Sequence, residues 1–213
     1  MITIYLPTQK QEYINCDVME KKSFSYKGGG VYYYHETGGN KSILLLHGYS
    51  FNSLVWDKMG LIQTLKDMNY NVFALDVPGF PKSINHFNLS DNDFAEFLNY
   101  FIKNVIGNAP VLMGSSASGY LALKFAESYS NRLRSVVVVA PVRLNSVELS
   151  RITIKILGMW GGNDNISDPK EGERLLKECR NAQVIILENA GHACYLDRPI
   201  EFNEAISNFL SDS

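Results

Sequence analysis

The chain has 213 residues, a formal net charge of −2 and 20% charged residues. That length buries a substantial core without disulfides or metals. Charge of both signs is interspersed with no basic run, which excludes a nucleic-acid or membrane-surface class. Cys16, Cys179 and Cys194 are scattered and odd in number, so they form neither a disulfide framework nor a zinc cluster, and predict a reduced, cytoplasmic protein.

The first residues lack the basic start and long apolar run of a secretory leader. Residues 20–26 and 31–36 are rich in aromatic and β-branched side chains and flank Gly28-Gly29-Gly30, the pattern of a β-hairpin. Tyr32, Tyr33 and Tyr34 read as packing at a sheet edge, and His35 and His86 as surface residues. Short apolar runs then follow at 42–47, 71–75, 110–114, 135–140, 153–159 and 183–187. All are too short to span a bilayer. Between them lie segments of helical period. Ser90-x-x-Asp93 is a capping-box-like start, and behind it Phe94, Phe97, Leu98, Phe101, Ile102 and Val105 fall on one helical face. Pro199 suits a first helical turn, followed by the stripe Phe202, Ala205, Ile206, Phe209 and Leu210. Apolar strands alternating with helices predict an α/β fold: a mostly parallel sheet with an N-terminal antiparallel hairpin and helices on both faces. The alternation runs to the end, so residues 1–213 read as a single domain.

Sites in such sheets lie beyond the carboxyl ends of the strands. After 110–113 comes Gly114-Ser115-Ser116-Ala117-Ser118-Gly119, and then an apolar helix. A nucleophile elbow needs this context, with small residues two before and two after the nucleophile. Centring on Ser116 places Gly114 and Ser118 there. Centring on Ser118 would place Tyr120, and on Ser115, Met113, so sterics favour Ser116. The turn taken alone also fits a phosphate-binding strand–helix junction. At the end of the first parallel strand, His47-Gly48-Tyr49 fits an oxyanion loop, in which the backbone N–H groups of Tyr49 and Ala117 would face a developing oxyanion. His47 itself reads as a structural hydrogen-bonding residue.

Past 153–159 lies Trp160-Gly161-Gly162-Asn163-Asp164, and past 184–187 lies Glu188-Asn189-Ala190-Gly191-His192. Ser116, Asp164 and His192 thus occur in the chain order of an α/β-hydrolase triad: nucleophile, orienting acid and general base. Asp168 is the main rival acid, but its place before Pro169 at a helix start reads as a helix cap. Cys194 reads as a buried small residue.

The blocks LLLHGYS, DVPGF, GSSASGY and GNDNIS…NAGHACYLDRP resemble the α/β-hydrolase family from about residue 42 to residue 210. HGYSFNSLVWDKMG, SSASG and GHACYLDRPIEF are more closely similar to the small CIB-like hydrolases of abhydrolase-domain-14 type. Pro81 departs from the glycine usual there, in a loop that borders the site in many relatives. The resemblance implies a serine hydrolase needing no metal or organic cofactor, with a small-molecule acyl substrate. Only residues 141–152 lie where many relatives insert a cap, too few for a cap domain and consistent with an open site. The same acyl-enzyme would serve an acyltransferase or deacylase, and a non-catalytic hydrolase-fold binding protein is the reading from another class.

Overall fold

A computed structural model describes residues 19–211. The chain opens with β1 (Glu20–Tyr26) and β2 (Gly29–Glu36), then β3 (Lys41–Leu46). Two short helices follow, α1 (Val55–Lys58) and α2 (Leu61–Asp67), before β4 (Tyr70–Leu75) and α3 (Asp91–Phe101). The second half runs β5 (Val111–Ser115), α4 (Ala117–Tyr129), β6 (Ser135–Val139), β7 (Lys155–Gly161), α5 (Pro169–Leu176), β8 (Ala182–Leu187), α6 (Cys194–Asp197) and α7 (Pro199–Ser211). The strands make one eight-stranded sheet in the order β1-β2-β4-β3-β5-β6-β7-β8. The β1–β2 and β2–β4 pairings are antiparallel and the rest parallel.

The sheet is covered on both faces, and the two-residue period of a strand divides its side chains between them. In β3, Leu44 and Leu46 join one core with Phe97 and Phe101 of α3, Leu123 of α4 and Leu176 of α5. Ile43 and Leu45 face the other core, with Trp56 of α1, Leu65 of α2 and Ile206 of α7. β6 divides the same way, Val136 and Val138 against Val137 and Val139. Each such fully buried side chain contributes about 1.5–3 kcal/mol of burial free energy.

Several expectations from sequence change in detail. β7 runs two residues past Met159 to Gly161, so Trp160 is a fully buried strand residue. Gly158 and Gly172 make room for its indole, since a Cβ at either would collide with the ring. The Ser90 start holds: its hydroxyl oxygen accepts the Asp93 N–H at 3.2 Å. Behind α3 a π-helical turn over Ile102–Ile106 shifts the phase, which leaves Val105 only half-buried. The three tyrosines lie on β2, which is second from the edge, with β1 outermost. His35 is not a surface residue. It stacks on its cross-strand partner Phe73 with ring centroids 4.5 Å apart, and its Nε2 is buried. Burial, followed by the charge of Lys22, lowers its pKa. His86 is exposed as expected. Cys16 and the N-terminal stretch in which a leader would stand lie outside the described residues. Residues 141–152 form two short 3₁₀ turns, Leu144–Ser146 and Leu149–Arg151, rather than a cap.

Candidate active site

β5 ends at Ser115, and the chain then reverses into α4 through Ser116. Ser116 has φ 56° and ψ −116°, a conformation that costs a non-glycine residue on the order of 1–3 kcal/mol. Neighbouring backbone groups hold it there. Ser116 N–H donates to the Val139 carbonyl at 2.8 Å, and the Ser116 carbonyl accepts from Tyr120 N–H at 3.1 Å and Val142 N–H at 3.3 Å. Gly114 must be glycine, because a Cβ there would collide with the Ser118 carbonyl. Ser118, two residues after Ser116, is wholly buried. Its hydroxyl donates to the Leu46 carbonyl at 2.8 Å and accepts from Ser115 N–H at 3.0 Å. It therefore ties the turn to the end of β3 and is withdrawn from the surface.

The end of β7 and the loop after β8 are locked together. Asn163 N–H donates to the Ala190 carbonyl at 2.9 Å and Gly162 N–H to the Leu187 carbonyl at 2.9 Å. Gly161 lies directly against the Ala190 and Gly191 carbonyls, leaving no room for a side chain. Gly191 N–H in turn donates to the Asp197 carboxylate at 2.7 Å, fixing the entry to α6. This brings His192 between Asp164 and Ser116. His192 Nδ1 is 2.9 Å from Asp164 Oδ2, and His192 Nε2 is 2.9 Å from Ser116 Oγ. A carboxylate only accepts, so this contact places the ring proton on Nδ1 and leaves the Nε2 lone pair facing the Ser116 hydroxyl. The other carboxylate oxygen, Oδ1, accepts the N–H groups of Ile166 at 2.8 Å and Ser167 at 3.0 Å. The Asp164 side chain is 0% exposed and that of His192 21% exposed. Asp168 is kept apart: it caps α5, accepting from Lys170 N–H at 2.9 Å.

His47 is fully buried beneath the next loop. Its Nδ1 donates to the Gly48 carbonyl at 2.9 Å, and its Nε2 accepts from Val77 N–H at 2.9 Å. Both nitrogens are thus used by backbone in the neutral ring, and burial pushes its pKa down. The Gly48 carbonyl also accepts from Phe51 N–H at 3.0 Å. A trans peptide points its C=O and N–H in opposite directions, so anchoring this carbonyl sets the direction of Tyr49 N–H. Ala117 supplies the first N–H of α4, one of those without an intrahelical acceptor.

The Tyr49 ring is 53% exposed and packs edge-on against Phe80. The loop holding Phe80 and Pro81 is closed by Ser83 N–H to the Phe80 carbonyl at 3.0 Å and Gly79 N–H to the Asn85 carbonyl at 3.0 Å. Pro81 itself is exposed at its tip. A cavity of about 60 Å³ opens beside Ser116 and His192, lined also by Phe51, Ser115, Ala193 and Tyr195. In the sequence alone, the one signal for Tyr195 is its place three residues after His192. Cys194 lies behind the site, buried, with its thiol pushed up to about 12 by burial and then by Asp164, which leaves it unreactive at neutral pH.

A model of the alpha/beta hydrolase fold matches residues 41–151, and the chain belongs to that family. It is 33% identical over 173 residues to the zebrafish (Danio rerio) protein ABHD14A, covering 79% of this chain and 64% of that one. It is 30% identical to ABHD14B of Rattus norvegicus, a protein named as a candidate protein-lysine deacylase, over 80% of this chain and 83% of that one. A crystal structure of a predicted CIB-like hydrolase from Thermoplasma acidophilum superposes with a TM-score of 0.84 at 27% identity, over 92% of this chain and 99% of that one. Among the described residues no helix is long and apolar enough to cross a membrane.

Proposed function

We propose that this protein is a serine hydrolase that cleaves small carboxylic esters or thioesters through an acyl-enzyme on Ser116. The observation that carries the reading is the continuous hydrogen-bonded line from Asp164 through His192 to Ser116, at 2.9 Å and 2.9 Å, ending on a serine held in a strained turn. His192 takes the Ser116 proton as Oγ attacks the carbonyl carbon. Asp164 stabilises the imidazolium that forms, and the Tyr49 and Ala117 N–H groups receive the oxyanion. His192 then returns the proton to the leaving group, and water repeats the sequence to release the acid. The cavity of about 60 Å³ suits a short acyl group. Among the described residues no cap domain is inserted between β6 and β7, since residues 141–152 only bridge the two strands. A cytoplasmic place of action belongs to the same reading.

The test is covalent labelling by a fluorophosphonate, run beside hydrolysis of p-nitrophenyl esters of graded length. Ser116→Ala should abolish labelling and lower kcat by about 10⁴-fold or more with the fold intact. Label found on Ser115 or Ser118, or activity near wild type, overturns the assignment. A second reading, acyl transfer or deacylation by the same acyl-enzyme, is favoured by the deacylase name of the rat relative. Adding a competing amine or thiol and analysing the products separates it from simple hydrolysis.

A further inference from the structure

The cavity beside Ser116 has a polar end that the proposed reaction does not use. Ser115 and Tyr195 both line it, yet they are only 3% and 1% exposed. Most of the surrounding wall is apolar: Phe51 packs edge-on against Tyr195 with centroids 6.2 Å apart, and Ala193 closes the side. Gly48 of the oxyanion loop lies over the Ser115 hydroxyl, with 3.6 Å between that oxygen and the point where a side chain would begin. Both residues therefore share one cavity with Ser116, the space open to the group attached to the scissile carbonyl carbon.

Hydrogen counting gives this pair a consequence. The Ser115 hydroxyl neighbours the Tyr195 phenol and acts on it as a hydrogen-bond donor, which lowers the phenol's pKa against the larger rise from burial. Each hydroxyl carries one hydrogen, and one hydrogen suffices to join them. Among the described residues neither hydroxyl has a further hydrogen-bond partner, so one hydrogen is left without a protein acceptor in two residues that line the cavity. A buried donor without an acceptor costs about 1–3 kcal/mol, and an apolar acyl chain would leave it in that state. Burial also pushes the Tyr195 phenol up to about 12, so it stays a donor throughout the working pH range.

Building on the acyl-enzyme reading above, we infer that Ser115 and Tyr195 are specificity-determining residues which select short acyl groups bearing a hydrogen-bond acceptor, an ether or carbonyl oxygen two or three atoms from the scissile carbon. The acceptor takes the free hydroxyl hydrogen at the end of the cavity, and the remaining carbon lies against Phe51 and Ala193.

The experiment compares p-nitrophenyl methoxyacetate with p-nitrophenyl butyrate, acyl groups of equal heavy-atom count that differ by an oxygen in place of one methylene. Each kcat/KM is divided by that ester's own hydroxide-catalysed rate, which removes intrinsic reactivity. Wild type should favour the methoxyacetate by about fivefold or more, the worth of one net hydrogen bond. Either single variant, Ser115→Ala or Tyr195→Phe, leaves one hydroxyl with its hydrogen free and should keep part of the preference. The double variant leaves none, and its ratio should fall to about one. The ratio does not depend on the folded fraction, so a folding defect cannot imitate the effect. A wild-type ratio near one, or an unchanged ratio in the double variant, overturns the inference. Ser116→Ala, assayed with both esters, tests the reaction separately: turnover surviving there defeats the acyl-enzyme reading, whereas its loss with an unaltered ratio in the double variant defeats the selectivity alone.

Discussion

Replacing Asp164 by asparagine should disable the site through a proton in the wrong place. Asp164 Oδ1 accepts two backbone N–H groups, from Ile166 at 2.8 Å and Ser167 at 3.0 Å, and Oδ2 faces His192 Nδ1 at 2.9 Å. An asparagine has one accepting oxygen and one donating nitrogen. If its nitrogen took the Oδ1 position, three donors would face one another in a buried pocket. The side chain must therefore turn its oxygen to Ile166 and Ser167 and present its NH₂ to His192 Nδ1. That holds the imidazole with its proton on Nε2, the nitrogen that has to accept from Ser116. The same error of tautomer costs a serine protease about 10⁴ in kcat, or about 5.5 kcal/mol at roughly 1.36 kcal/mol per decade. Asp168→Asn should change kcat less than twofold, because asparagine caps a helix about as well as aspartate. The assay is kcat on p-nitrophenyl acetate, normalised by protein concentration and by the circular dichroism of both variants. Asp164→Asn activity within tenfold of wild type, or equal losses at the two positions, refutes the reasoning.

Two further outcomes concern stability. Burial holds the His47 pKa below its ordinary 6.5. The unfolded chain therefore binds the extra proton first, and the stability that neutral His47 supplies is complete above pH 6.5 and lost as the pH falls below it. Urea unfolding midpoints should drop across pH 6.5 to 5, by up to about 1.4 kcal/mol per pH unit from this residue, and His47→Gln should flatten that limb; an identical acid limb in the variant would remove His47 as its source. Ser118→Ala should cost about 1–3 kcal/mol in the same urea assay, because Ser115 N–H loses its acceptor inside the turn. A change under about 0.5 kcal/mol would mean that this hydroxyl does not hold the turn.

The parts of the candidate site that were legible in sequence follow strand ends. Ser116, Asp164 and His192 each come within a few residues of a short apolar run, in loops of glycine and small polar residues, and it is their conjunction in chain order, more than any one of them, that marks the positions. Trp160-Gly161-Gly162 misled because two glycines read as the start of a turn. In the structure Gly161 is in the strand, for the close approach of the Ala190 and Gly191 carbonyls. His35 misled for a different reason: its burial comes from Phe73 on a strand that pairs with β2 38 residues later in the chain, and no periodicity within the hairpin records that partner. Ser118 and Tyr195 were obscure likewise. Ser118 resembled any small residue until the Leu46 carbonyl, 72 residues away, gave its hydroxyl a destination. Tyr195 gains its meaning only from Ser115 and the cavity between them.

The line that joins Asp164, His192 and Ser116 spans sequence separations of 28 and 76 residues, and the Ser118 tie to β3 spans 72. Contacts of such range close late, because the chain between them must lose its freedom before they give any return. During refolding, helix content and core fluorescence should therefore recover ahead of chemical reactivity at Ser116, which waits for the loop after β8 to seat against the end of β7. Reactivity toward an acylating probe is then a clock for the last step of assembly, and a population showing native-like helix without it consists of molecules whose two halves have not yet met.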